Sequence, residues 1–204
     1  MWAMAGGFAQ AQQAPAAKAA QPVILVLGDS ISAAYGIPQA QGWVALLQQR
    51  LRDQGYPHTV VNASISGETT AGGLARLPRA LDRHRPKIVL VELGGNDGLR
   101  AQPVKNMKQN LERMATLARE AGATPVLFEM RIPENYGPAY TRSFAAAFGE
   151  VAAAQKLPLV PFFLATIATD ATQFLEDGIH PSVAAQPKLL DAVWPTLRPL
   201  LAKQ

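Results

Sequence analysis

Cysteine is absent from this 204-residue chain, which excludes both a disulfide framework and a thiolate zinc site. No His/Asp/Glu cluster has metal-ligand spacing and no internal repeat occurs, so no cofactor is expected. No run approaches the ~20 apolar residues that span a bilayer, so stable membrane insertion is not expected. The glycine-rich strings Gly94-Gly95-Asn96-Asp97-Gly98 and Ala71-Gly72-Gly73 lack the P-loop lysine and the dinucleotide glycine spacing, which argues against a nucleotide switch. Aromatic residues make up 7% of the chain and do not interleave with basic ones, and the net charge is only +4. The densest basic cluster, Arg76, Arg79, Arg83, Arg85 and Lys87, reads as a solvated helix face, or at most as an attractor of anionic surfaces. Nothing supports a nucleic-acid partner.

What remains is an ordinary globular composition, 49% hydrophobic and 17% charged, at a length suited to one core. Apolar, β-rich runs at Val23 to Leu27, Thr59 to Asn62, Ile88 to Glu92, Thr124 to Glu129 and Leu157 to Val160 alternate with helical patterns. These lie at Trp43 to Asp53, Thr70 to Arg83, Val104 to Ala121, Tyr140 to Ala154 and Ala184 to Leu201. Near-continuous apolar strands separated by helices imply an α/β fold with a parallel sheet covered on both faces. Pro78, Pro187 and Pro195 suggest that the second and last helices are kinked or start late.

Residues 1–21 differ from the rest. Their alanine, glutamine and glycine content, with Ala9-Gln10-Ala11 as an A-x-A cleavage pattern, resembles the end of a secretory leader followed by a flexible linker. A basic n-region and most of the apolar stretch are missing. The expectation is a periplasmic or secreted protein with a single domain over residues 22–204; a plain tail on a cytoplasmic protein is the alternative.

The string Gly28-Asp29-Ser30-Ile31-Ser32 follows the first strand directly and delivers a hydroxyl to the sheet edge, where open α/β sheets keep their ligands. Serine after glycine is also a common helix N-cap, so a partner is needed. Of the three histidines, His58 opens a β-like run and His84 lies between two arginines. His180 stands in Asp177-Gly178-Ile179-His180-Pro181, where a carboxylate three residues away can hold one ring nitrogen while the other faces outward. An Asx-type turn explains the same spacing. Together, Ser30, His180 and Asp177 supply nucleophile, base and orienting acid for acyl transfer. Ser32 takes the place of the second glycine of a nucleophile elbow, so an architecture other than the α/β-hydrolase is indicated.

Acyl transfer also needs donors for the developing oxyanion. Gly67, after the second strand, can bring its N–H close to a ligand, and Asn96, after the third, can offer a side-chain amide. Asn96-Asp97-Gly98 equally suits a β-turn.

The four blocks, Gly28-Asp29-Ser30, Gly67, Gly94-Gly95-Asn96-Asp97 and Asp177 to His180, resemble the SGNH hydrolases of the GDSL superfamily. Asn62 to Gly67, Leu74 to Pro78, Val89 to Arg100, Arg131 to Gly137 and Asp177 to Pro181 are similar to the bacterial thioesterase I group of that superfamily, over roughly residues 22 to 201. The resemblance implies a three-layer flavodoxin-like fold with a five-stranded sheet. It implies a serine esterase and thioesterase, arylesterase- and lysophospholipase-like, with Ser30, Gly67 and Asn96 as oxyanion donors and with Ile132, Tyr136 and Ile179 as candidate acyl contacts. The expected partner is a small acyl ester or thioester, lysophospholipid included, bound by a monomer. A carbohydrate O-acetylesterase and a non-catalytic acyl-chain-binding module are the alternatives.

Overall fold

The computed structural model describes residues 21–201; of the leader-like segment 1–21, residues 1–20 lie outside the described residues. Five strands, β1 Val23–Gly28, β2 Thr59–Asn62, β3 Ile88–Glu92, β4 Thr124–Phe128 and β5 Leu159–Val160, form one parallel sheet in the order β2-β1-β3-β4-β5. Ile24 to Leu27 and Val89 to Val91 are buried because helices cover both faces of the sheet, which is why these strands read as continuous apolar runs.

Helix α1 (Trp43–Asp53) packs on α6 (Gln186–Leu197) on one face, while α2 (Thr70–His84), α4 (Val104–Glu120) and α5 (Pro138–Gln155) form the other layer. The α1/α6 side is anchored by Trp43, whose ring meets Phe128 and Phe163 at 5.9 and 5.5 Å. The backbone N–H of Trp43 donates to Gln186 Oε1 at 2.9 Å, satisfying a first-turn donor of α1 from the start of α6.

The chain runs from β1 outward to β2 and then returns past β1 to β3. β1 and β3 therefore flank the point where strand order reverses, and a crevice opens beyond their C-terminal ends. The three-layer α/β expectation is met, and the sheet has the flavodoxin-like order. The helix through Thr70–His84 continues past Pro78, and the last helical stretch is divided. A 3₁₀ turn at Val183–Ala185 precedes α6, Pro187 sits in its first turn, and a second 3₁₀ turn at Arg198–Leu200 follows.

One further helix departs from the sequence reading. Gly95–Leu99 forms α3, a single helical turn, where a β-turn was one expectation. Five residues rich in glycine carry no apolar periodicity, so their conformation comes from tertiary bonds. Asp97, 2% exposed, accepts from the Thr70 N–H at 2.8 Å and from Thr70 Oγ1 at 2.5 Å, and Asn110 Nδ2 donates to Thr70 Oγ1 at 3.0 Å. These bonds tie α3 to α2 and α4.

Candidate active site

Ser30 follows β1 in a run of tight turns rather than on a strand-to-helix elbow. The Ala33 N–H bonds to Asp29 O at 2.9 Å and the Tyr35 N–H to Ser30 O at 3.0 Å. His180 comes from the far end of the chain. Its loop is closed by an antiparallel bridge between Phe174 and Pro181 and by a 2.8 Å bond from the Leu175 N–H to His180 O.

His180 Nε2 stands 2.9 Å from Ser30 Oγ, and His180 Nδ1 stands 2.7 Å from Asp177 Oδ2. The other oxygen of Asp177 accepts the backbone N–H groups of Ile179 and His180, both at 2.9 Å. The Asx turn and the carboxylate–imidazole pair, alternatives in the sequence, are thus one arrangement: Oδ1 makes the turn and Oδ2 meets the ring. The His180 backbone bond, then its ring, then the Ile179 N–H hold the Asp177 carboxyl down at about 2. Tyr35 covers the imidazole, ring centroids 4.4 Å apart.

The other two histidines lie elsewhere. His58 precedes β2 and His84 ends α2 ahead of β3, so both belong to the N-terminal edge of the sheet. His58 is buried, and that burial lowers its pKa below the ordinary value.

Gly67 has φ +77°, in the left-handed region that a side chain resists. Its loop is held on two sides. Arg76 pairs with Glu68 at 2.7 Å and donates to Ala63 O, while Arg100 Nη2 donates to Gly67 O at 3.0 Å. Arg76, counted with a solvated basic face in the sequence, therefore turns inward. Among the described residues, the backbone N–H groups of Ser30 and Gly67 donate to no protein acceptor.

Asn96 is the second residue of α3. The N-cap of that helix, Gly94, has φ +114°, and a Cβ there would lie 2.8 Å from Phe148 Cζ. Only glycine lets the chain turn this tightly against α5. Asn96 Nδ2 donates to Asp29 Oδ2 at 3.1 Å.

A cavity of about 710 Å³ opens beside these groups, within the range of small-molecule sites. Ser30, Asn96 and His180 line it, together with Met130, Phe162, Leu164 and Phe174. Ile132 and Ile179 also line it; Tyr136 is not among its lining residues, and its hydroxyl donates to Leu99 O at 2.9 Å. Sequence reasoning missed Met130, Phe162, Leu164 and Phe174, whose apolar character signals core packing as readily as a ligand wall. It also passed over Asp29 and Glu92. Glu92 is fully buried at the end of β3 and accepts from Ser32 Oγ at 2.7 Å and from the Asp29 N–H at 3.3 Å. Burial, reinforced by the charge of Asp29, pushes its carboxyl well above the ordinary value.

The GDSL-like lipase/acylhydrolase family matches residues 26–186. The chain belongs to that family. It is 55% identical over 184 residues to "Esterase TesA" of Pseudomonas aeruginosa, covering 90% of this chain and 92% of that protein. It is 42% identical over 183 residues to "Thioesterase 1/protease 1/lysophospholipase L1" of Escherichia coli, covering 90% of this chain and 86% of the relative. Among solved structures, the psychrotrophic esterase EstA from Pseudoalteromonas sp., inhibited by monoethylphosphonate, superimposes with a TM-score of 0.84 at 41% identity. That match spans 87% of this chain and 97% of the other. As a member of the GDSL-like family, the protein is an enzyme that hydrolyses acyl esters.

Proposed function

We propose that the enzyme is a serine esterase and thioesterase of broad acyl range that works through an acyl-enzyme on Ser30. The observation carrying this reading is the unbroken line from Ser30 Oγ through His180 to Asp177, at 2.9 and 2.7 Å, on the wall of an apolar-lined cavity.

A serine hydroxyl is a weak nucleophile until a base takes its proton. His180 Nε2 accepts that proton as Ser30 Oγ bonds to the acyl carbon, and Asp177, ionised from about pH 2 upward, stabilises the imidazolium. The carbonyl oxygen becomes an oxyanion and takes donors from the Ser30 N–H, the Gly67 N–H and Asn96 Nδ2. Collapse of this intermediate breaks the bond to the leaving oxygen or sulfur, which receives the proton from His180. Water then adds to the acyl-enzyme with His180 again as base, releasing the acid and restoring Ser30. Every step is a proton or acyl transfer among these residues, substrate and water.

Ile132, Ile179, Met130 and Phe162 give the acyl chain an apolar wall, so esters and thioesters of medium to long chains, lysophospholipids among them, are the substrates assigned. A carbohydrate O-acetylesterase would use the same three residues, but an acetyl group needs little of a 710 Å³ apolar cavity. The leader-like composition of residues 1–21 supports a periplasmic or secreted location.

The test is hydrolysis of p-nitrophenyl esters from acetyl to palmitoyl, followed by a palmitoyl thioester and a lysophosphatidylcholine. Rates rising toward medium or long chains support the reading. A strict acetyl preference moves the assignment to carbohydrate deacetylation, and fatty-acid binding without turnover moves it to a binding module.

A further inference from the structure

An asparagine amide has two ends of nearly equal shape and opposite hydrogen-bonding character. An oxyanion donor works only if a neighbour keeps the NH₂ end toward the substrate. At Asn96 the neighbour is Asp29, the middle residue of Gly28-Asp29-Ser30. Its Oδ2 accepts from Asn96 Nδ2 at 3.1 Å, across 67 residues of sequence. An ionised carboxylate only accepts, so it takes one Nδ2–H and leaves the other for the cavity that Asn96 lines.

Asp29 is itself held. Oδ1 accepts the Ile31 N–H at 3.0 Å, its own N–H reaches Glu92 Oε2 at 3.3 Å, and the residue is 3% exposed. Three ionisable groups act on it besides its own burial. His180 favours its charged form, Asp97 opposes it, and Glu92, pushed toward its neutral form beneath it, leaves Asp29 as the carboxyl that ionises. Burial raises Asp29 to about 6, against the Ile31 bond, His180 and Asn96, so at neutral pH it is an acceptor.

We propose that Asp29 is a positioning residue whose carboxylate fixes the Asn96 amide with its NH₂ end toward the acyl oxygen. This rests on the reading of Asn96 as an oxyanion donor. It separates two tasks within adjacent residues: Ser30 supplies the nucleophile while Asp29 arms the stabiliser on another strand end. Asp29→Asn keeps size and the Ile31 contact but can place an NH₂ against an NH₂. Asn96 then turns over and presents its carbonyl to the oxyanion.

The experiment is a double-mutant cycle on a p-nitrophenyl ester, with kcat and KM measured for wild type, Asp29→Asn, Asn96→Ala and the pair, and folding checked by thermal melting. Asp29→Asn is expected to lower kcat about 10²-fold with KM within about threefold, and to change kcat less than about threefold when Asn96 is already alanine. Asp29→Ser, which can still accept the Ile31 N–H but is too short to reach Asn96, takes its place if Asp29→Asn does not fold. Equal losses in both backgrounds, or no loss in either, overturn the proposal. If Asn96→Ala alone retains full kcat, the oxyanion reading fails, and the two failures are thereby distinguished.

Discussion

His180 Nε2 meets Ser30 Oγ at 2.9 Å across 150 residues of sequence, and the elements that hold each residue converge on that contact. Ser30 is fixed by turns after a strand buried from Ile24 onward, and His180 by the carboxylate three residues before it. Because the ring must carry its proton on Nδ1 to accept another on Nε2, the carboxylate of Asp177 sets the tautomer. Asp177→Asn can instead offer a donor to Nδ1 and is expected to lower kcat about 10³–10⁴-fold with little change in KM, as read by steady-state ester hydrolysis at neutral pH.

Glu92 gives the fold a pH signature. Its carboxyl titrates well above the ordinary value near 4.5 when folded. Between these two values the native state holds a proton that the unfolded chain has released, so wild-type stability declines as pH rises from about 4.5 until Glu92 ionises in the fold, by up to about 1.4 kcal/mol per pH unit. Asp29, raised from 3.8 to about 6, acts in the same direction between those values. Glu92→Gln cannot ionise, so its stability relative to wild type should grow between pH 4.5 and 7.5. Urea unfolding at both pH values measures this; a constant difference would mean that Glu92 titrates in the fold as it does in the unfolded chain.

The tight turn into α3 makes Gly94→Ala informative. At φ +114° with Phe148 at 2.8 Å, an added methyl group brings both backbone strain and a clash, with an expected cost of about 1–3 kcal/mol. Because α3 carries Asn96, kcat should fall along with stability. Urea unfolding and ester hydrolysis on the same preparation test the two together.

Chain-length preference should respond to the cavity wall. Ile179, 51% exposed, lines the cavity next to His180. Ile179→Ala removes apolar contact that a long chain uses and an acetyl group does not. The ratio of kcat/KM for octanoyl over acetyl esters should drop about 3- to 10-fold, while acetyl hydrolysis stays near wild type.

Much of this architecture is written locally. Buried parallel strands appear as apolar runs, so β1, β2 and β3 match the sequence reading to within a residue. β5 shrinks to Leu159–Val160, in part because Pro158 has no N–H to give the ladder. The rarity of histidine left one candidate base, and only His180 stands on the edge that carries Ser30. The helix at Gly95–Leu99 was not legible, since its conformation is imposed by Asp97 and Thr70, 27 residues apart. Tyr136 donates its hydroxyl to Leu99 O, 37 residues away in the chain, a contact that no local pattern announces. Asp29 stood inside the most telling motif, yet its partner Asn96 is 67 residues away, and no local pattern connects them.

Ser30 is the residue on which the whole reaction depends. The most direct measurement compares kcat/KM on a p-nitrophenyl octanoate ester for wild type and Ser30→Ala, with matched melting curves. A fall of about 10⁴–10⁶-fold in a folded Ser30→Ala protein is the expected result. Hydrolysis that persists at the wild-type rate in that variant would contradict the acyl-enzyme on Ser30.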